Sequence, residues 1–95
     1  MRVMTDLTEE TYAKNWLTQS EYFYNSKYYS WMVDMLQKNG AASGTLIEIG
    51  CGSGYSTLAL LEAGYKVICI ESNQFCVTNT TRLISKNNKS VASRP

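Results

Sequence analysis

Glu48-Ile49-Gly50-Cys51-Gly52-Ser53-Gly54 places three alternate glycines directly behind a short β-rich run, Thr45-Leu46-Ile47-Glu48-Ile49. Alternate glycines let a chain turn sharply and leave its backbone open to a ligand. Behind them Tyr55 to Ala63 has helical character, and Gly64 is placed to stop it. Lys66 to Ile70 is a second short apolar strand, closed by Glu71. A further helix is expected from Ser72 or Asn73 to about Lys86, although Thr78-Asn79-Thr80-Thr81 has poor helix propensity. Strand, glycine loop, helix, strand and helix in that order make a βαβ unit, with a parallel strand pair and a right-handed crossover.

The loop has a chemistry of its own. The helix that follows it offers unpaired N–H groups and a partial positive charge. Glu71 stands at the end of the next strand, 21 positions after Gly50. A carboxylate there can accept hydrogen bonds from both hydroxyls of a ribose, which points to a nucleoside at the edge of a parallel sheet. A dinucleotide fingerprint wants Gly or Ala at the sixth position of G-x-G-x-x-G, where this chain has the bulky Tyr55. Glu48, just before the first glycine, would repel a pyrophosphate but suits a ligand carrying an ammonium and a sulfonium. The pair of features favours S-adenosylmethionine (SAM) over NAD.

Leu46 to Gly54, with Glu71 behind Val67-Ile68-Cys69-Ile70, resembles the first cofactor motif and following acidic strand end of class I SAM-dependent methyltransferases. The likeness extends over about residues 25–86, with the segment Met32–Gln37 matching the helix before the first strand. The resemblance implies a Rossmann-like, doubly wound parallel α/β sheet, truncated after about two strands and preceded by helices. It implies that Gly50, Gly52 and Gly54 pack against the methionine part of the cofactor, that Glu48 orients that part, and that Glu71 binds the ribose. Cys51, Ser53 and Tyr55 would line the same loop, and Asn73 would fall near the adenosine. The implied reaction is SN2-like transfer of the sulfonium methyl group to an acceptor that the sequence leaves unidentified. Such enzymes work largely by alignment, and no catalytic residue is assigned.

The rest of the chain fits a small cytoplasmic domain. Its 95 residues carry nine Lys+Arg against eight Asp+Glu, a formal charge of +1, so nothing marks a nucleic-acid or anionic-membrane surface. The absence of histidine excludes His-based metal sites and His-activated nucleophiles within the chain. Three cysteines without a C-x-x-C pair make no zinc site, and no metal is expected. No signal peptide or membrane span is evident.

Organisation follows composition, with a helical segment at 1–44, the partial cofactor domain at 45–86 and a polar tail at 87–95. Residues 5–40 hold eight of the eleven aromatics and read as two helices. The first begins near Asp6 and Glu9, with Tyr12 and Trp16 on one face. The second begins near Asn25 or Ser26, with Tyr28, Tyr29, Met32, Met35 and Leu36 as its apolar stripe and Gly40 ending it. The aromatics read as packing surface before substrate lid, and Cys51 as structural before nucleophilic.

The family's core runs on through further strands, so the chain reads as the N-terminal part of such an enzyme, expected to bind SAM weakly and not to turn over. One edge of its first strand would be uncovered, and a missing C-terminal half or an oligomer partner is expected to cover it. Two rival readings remain open, an NAD(P)-binding oxidoreductase fragment and a non-catalytic interaction module derived from a methyltransferase.

Overall fold

A computed structural model describes residues 5–41, 43–87, 89 and 92–94, and the side chains of 8–41, 43–87 and 89. The elements are α1 (Thr5–Asn25), α2 (Tyr28–Lys38), β1 (Thr45–Ile49), α3 (Tyr55–Glu62), β2 (Lys66–Ile70), α4 (Gln74–Lys86) and β3 (Ala92–Arg94). The three strands form one sheet in the order β1-β2-β3. β1 runs parallel to β2 in a register that pairs Thr45 with Lys66 and Ile49 with Ile70, and β2 runs parallel to β3. The fold is the leading part of a Rossmann-like sheet, with the expected strand pair extended by a short third strand inside the polar segment 87–95.

Side-chain alternation along the strands sorts the two faces of the sheet. Leu46 and Glu48 of β1 and Val67 and Cys69 of β2 point to the helical side. There Cys51, Leu60, Tyr65, Val67 and Cys69 form a buried cluster, covered by Met32, Val33 and Leu36 of α2. α1 packs across both α3 and α4. On the opposite face Ile47 pairs with Ile68 and Ile49 with Ile70, giving an apolar patch. Ile47 is 65% and Ile49 80% exposed, because β1 is an edge strand and nothing among the described residues covers it.

Turn chemistry sets the boundaries. Gly40 and Gly64 take left-handed φ values of 92° and 98°, each just past a helix. Asn73 caps α4, its side chain accepting from the N–H groups of Phe75 and Cys76, a contact worth about 1 kcal/mol. Tyr65 is held by its hydroxyl on the Ala41 carbonyl, tying the start of β2 to the segment entering β1. The expected role of Asp6 at the start of the first helix lies outside the described side chains.

Two sequence expectations in this region need correction. α1 continues to Asn25, and α2 starts at Tyr28, after a two-residue link in which Lys27 adopts φ 68°. The stripe of α2 is also rotated, with Met32, Val33 and Leu36 packing on the core while Tyr28 and Met35 are exposed. A left-handed link residue sets the helix's rotation, which no apolar spacing encodes. Among the described residues, no helix is long and apolar enough to cross a membrane.

Because Ile47 and Ile49 contribute little buried area, Ile47→Thr with Ile49→Lys should change unfolding free energy by no more than about 0.5–1 kcal/mol. The same pair of changes should reduce self-association, read by light scattering against concentration.

Candidate functional site

The glycine loop leaves β1 at Gly50, whose N–H donates to the Ile70 carbonyl at 2.7 Å and prolongs the strand pairing by one residue. Gly50, Gly52 and Gly54 take φ values of 73°, 61° and 95°. L side chains rarely adopt that region, so all three positions need glycine on backbone grounds. At Gly54 space adds to conformation, since a Cβ there would lie 2.9 Å from Cα and 3.0 Å from Cγ2 of Thr80. Thr80 also donates from its hydroxyl to the Gly52 carbonyl at 2.9 Å. The weak helix formers of α4 are therefore packing residues, small enough to let the helix rest on the loop.

Glu71 reaches back from the end of β2 to this loop. One carboxylate oxygen accepts from the Gly52 N–H and the other from the Asn73 N–H, both at 3.0 Å. The acid is thus fastened beside the loop by two backbone N–H groups. Glu48 lies on the helical face of β1 and accepts from the Ser56 hydroxyl at 2.5 Å and from the Thr57 hydroxyl. These partners are the hydroxyls of the first turn of α3, so Glu48 anchors that helix to the strand.

The other expected residues are placed as follows. Cys51 and Ser53 are buried within the loop, Cys51 with its sulfur 3.7 Å from the Thr80 hydroxyl and Ser53 paired with the Ser20 hydroxyl of α1. Tyr55 turns toward α1, its ring 5.3 Å from Tyr24 and its hydroxyl donating to Glu21 at 3.3 Å. Asn73 is spent on its cap and on the Glu9 carbonyl, to which its amide donates at 3.1 Å. Sequence reasoning missed Trp16, Ser20 and Thr80. Trp16 and Ser20 are one helical turn apart on α1, a spacing that carries no signal without knowledge of where that helix docks.

The thiols lie in a carboxylate-flanked interior. Burial pushes the Cys76 thiol up to about 11, and the Glu71 charge adds to the shift. The hydrogen bond with Cys51, and then burial, drive Cys69 well above the ordinary thiol range. Cys51 is drawn downward by the hydrogen bond from Cys69, against burial and the charges of Glu48 and Glu71. With its sulfur buried and engaged by Thr80, Cys51 has the setting of a structural thiol. A groove of about 470 Å³ between α1, α2 and α3, lined in part by Tyr24, Tyr29, Asp34 and Glu62, lies away from the glycine loop.

Comparison with known proteins places this geometry. The chain superimposes on a candidate S-adenosyl-L-methionine-dependent methyltransferase from Methanococcus maripaludis with a TM-score of 0.75. Sequence identity is 19%, over 90% of this chain and 42% of that one. A second match is a structure concerned with the conversion of a disulfide bond into a thioacetal group during echinomycin biosynthesis, with a TM-score of 0.57. There identity is 21%, over 66% of this chain and 26% of that one. No protein-family model matches the sequence, and no curated protein does. The fold is thus shared with part of a methyltransferase-type structure, and the chain spans less than half the length of the first match.

Two outcomes test the site's construction. Gly54→Ala should destabilise the fold by about 2 kcal/mol or more, from a left-handed φ and a Cβ pressed on Thr80, as read from denaturant midpoints. Cys76 and Tyr24 titrate at about 11 and about 12 in the fold, above their ordinary 9.0 and 10.0. The folded state therefore holds these protons more tightly, so the stability they contribute is intact below their ordinary values and lost as pH rises through the raised ones. The urea midpoint should accordingly fall between about pH 9 and about pH 12, with no such fall between about pH 7 and about pH 8.

Proposed function

We propose that the chain is the cofactor-binding part of a methyltransferase that uses S-adenosyl-L-methionine as methyl donor. The observation that carries this reading is the Glu71 carboxylate, fixed at the end of β2 on the Gly52 N–H with three left-handed glycines beside it. In this reading Glu71 accepts the ribose hydroxyls, and the left-handed backbone at Gly50, Gly52 and Gly54 shapes the loop that meets the methionine part, with Gly50 its open position. Glu48 supplies negative charge for the ammonium, at the cost of its contacts to Ser56 or Thr57. Cys51 and Ser53 shape the loop from within, and Asn73 sets the start of α4 near the adenosine. Tyr55 contributes its position at the head of α3, its ring being committed to Tyr24.

When bound, the cofactor would supply an electrophilic methyl group on sulfur for a single displacement by an acceptor nucleophile. The residues of this chain hold and orient; none of them is assigned a proton-transfer role. The 95-residue chain by itself is expected to bind the donor weakly and not to turn over. A second reading, a non-catalytic module that docks a partner on its open edge, is favoured by the exposure of Ile47 and Ile49. The bulk of Tyr55 where a dinucleotide site wants Gly or Ala argues against an NAD(P) site.

Calorimetric titration with S-adenosylhomocysteine, the demethylated and chemically stable form of the donor, tests the reading. Measurable binding that Glu71→Ala weakens by about tenfold or more, with an unchanged far-ultraviolet spectrum, is the expected result. Binding of NADH in its place would overturn it.

A further inference from the structure

Trp16 has no role in the reading above, yet its indole lies against the glycine loop at Gly52. A Cβ placed on Gly52 would overlap Nε1 and Cδ1 of the Trp16 indole. The indole therefore fills the space beside the Gly52 backbone that a ligand approaching from that side needs. Three further ties draw α1 across the same region: the Asn73 amide on the Glu9 carbonyl, the Ser20–Ser53 hydroxyl pair and the Tyr55 hydroxyl on Glu21. The Ser20–Ser53 pair is buried, the Asn73–Glu9 tie is half-buried, and the Tyr55–Glu21 tie is exposed at the surface. α1 joins α2 through the two-residue link at Ser26 and Lys27, where the left-handed Lys27 interrupts the helical backbone.

We infer that α1 is a displaceable strap over the nucleoside site, closed when Trp16 sits on Gly52 and opened when a ligand takes that place. The inference rests on the methyl-donor reading, and it makes the affinity of the site depend on how strongly α1 is seated. Binding competence is limited to the open fraction, so weakening the seat raises apparent affinity.

The chain has two tryptophans, so Trp31→Phe leaves Trp16 as the only indole. In that background, titration with S-adenosylhomocysteine should shift Trp16 emission to longer wavelength, with a midpoint equal to the calorimetric one. Trp16→Ala should tighten binding by about fivefold or more. A Ser20→Cys, Ser53→Cys pair provides a test that keeps the indole. When oxidised to a disulfide it should bind about tenfold more weakly than the same protein reduced.

Tighter binding by Trp16→Ala together with weaker binding by the oxidised pair supports the strap. Equal binding in the oxidised and reduced forms, or weaker binding by Trp16→Ala, overturns the strap and leaves the donor reading standing. No binding by any form, Trp16→Ala and the reduced pair included, overturns both. Binding that appears only after Trp16→Ala supports both.

Discussion

The contact between Thr80 and the glycine loop is the constraint from which the rest of the arrangement follows. Gly54 meets the α4 backbone at a distance that leaves no room for a Cβ, and the Thr80 hydroxyl holds the Gly52 carbonyl. With its carbonyl held on that side, the Gly52 peptide presents its N–H to Glu71, and the acid in turn binds the Asn73 N–H at the head of α4. Loop, strand end and helix start are thereby fastened into one frame by short hydrogen bonds through two adjacent elements. A larger residue at either position would push α4 away from the loop and separate the acid from the backbone it faces.

The same frame explains why so many small hydroxyls are buried here. Ser20, Ser53, Thr57 and Thr80 are almost wholly enclosed, and each has a partner, in line with the cost of leaving a buried hydroxyl unmatched. No buried side-chain nitrogen or oxygen among the described residues is left without a hydrogen bond. Small side chains allow close approach, and their hydroxyls then satisfy the polar groups that close approach strips of water. A buried loop rich in backbone polar groups can sit beneath two helices only under such a cover.

Much of this was readable in the sequence because it depends on local chemistry. The bounds of β1 and β2, the stop at Gly64 and the Asn73 cap each follow from period or turn preference within a few residues. The juxtaposition of Glu71 with the loop also followed, because a parallel crossover brings successive strand ends together. What escaped were quantities set by docking. The rotation of α2 depends on Lys27, a residue with no intrinsic preference for a left-handed φ. The threonines of α4 counted against a helix by propensity, yet they are what lets that helix approach the loop. Trp16 and Ser20 belong to a helix whose partner lies 33 or more residues further along the chain, beyond any pattern of spacing.

The separations along the chain also imply an order of assembly. β1 pairs with β2 at a constant offset, Thr45 with Lys66 through to Ile49 with Ile70, across a crossover that is mostly helix. α1 reaches the same frame across longer loops, 33 positions from Ser20 to Ser53 and 64 positions from Glu9 to Asn73. Closing a loop about three times longer costs about 1 kcal/mol more in chain entropy, and the partner surface must exist before any contact can offset that cost. The crossover unit and α4 create that surface, since Gly52, Ser53 and Asn73 are not in register until they have formed. For this reason α1 docks after the crossover unit and α4 have formed. Its late arrival leaves the glycine loop open to water and to small molecules while the chain is still folding.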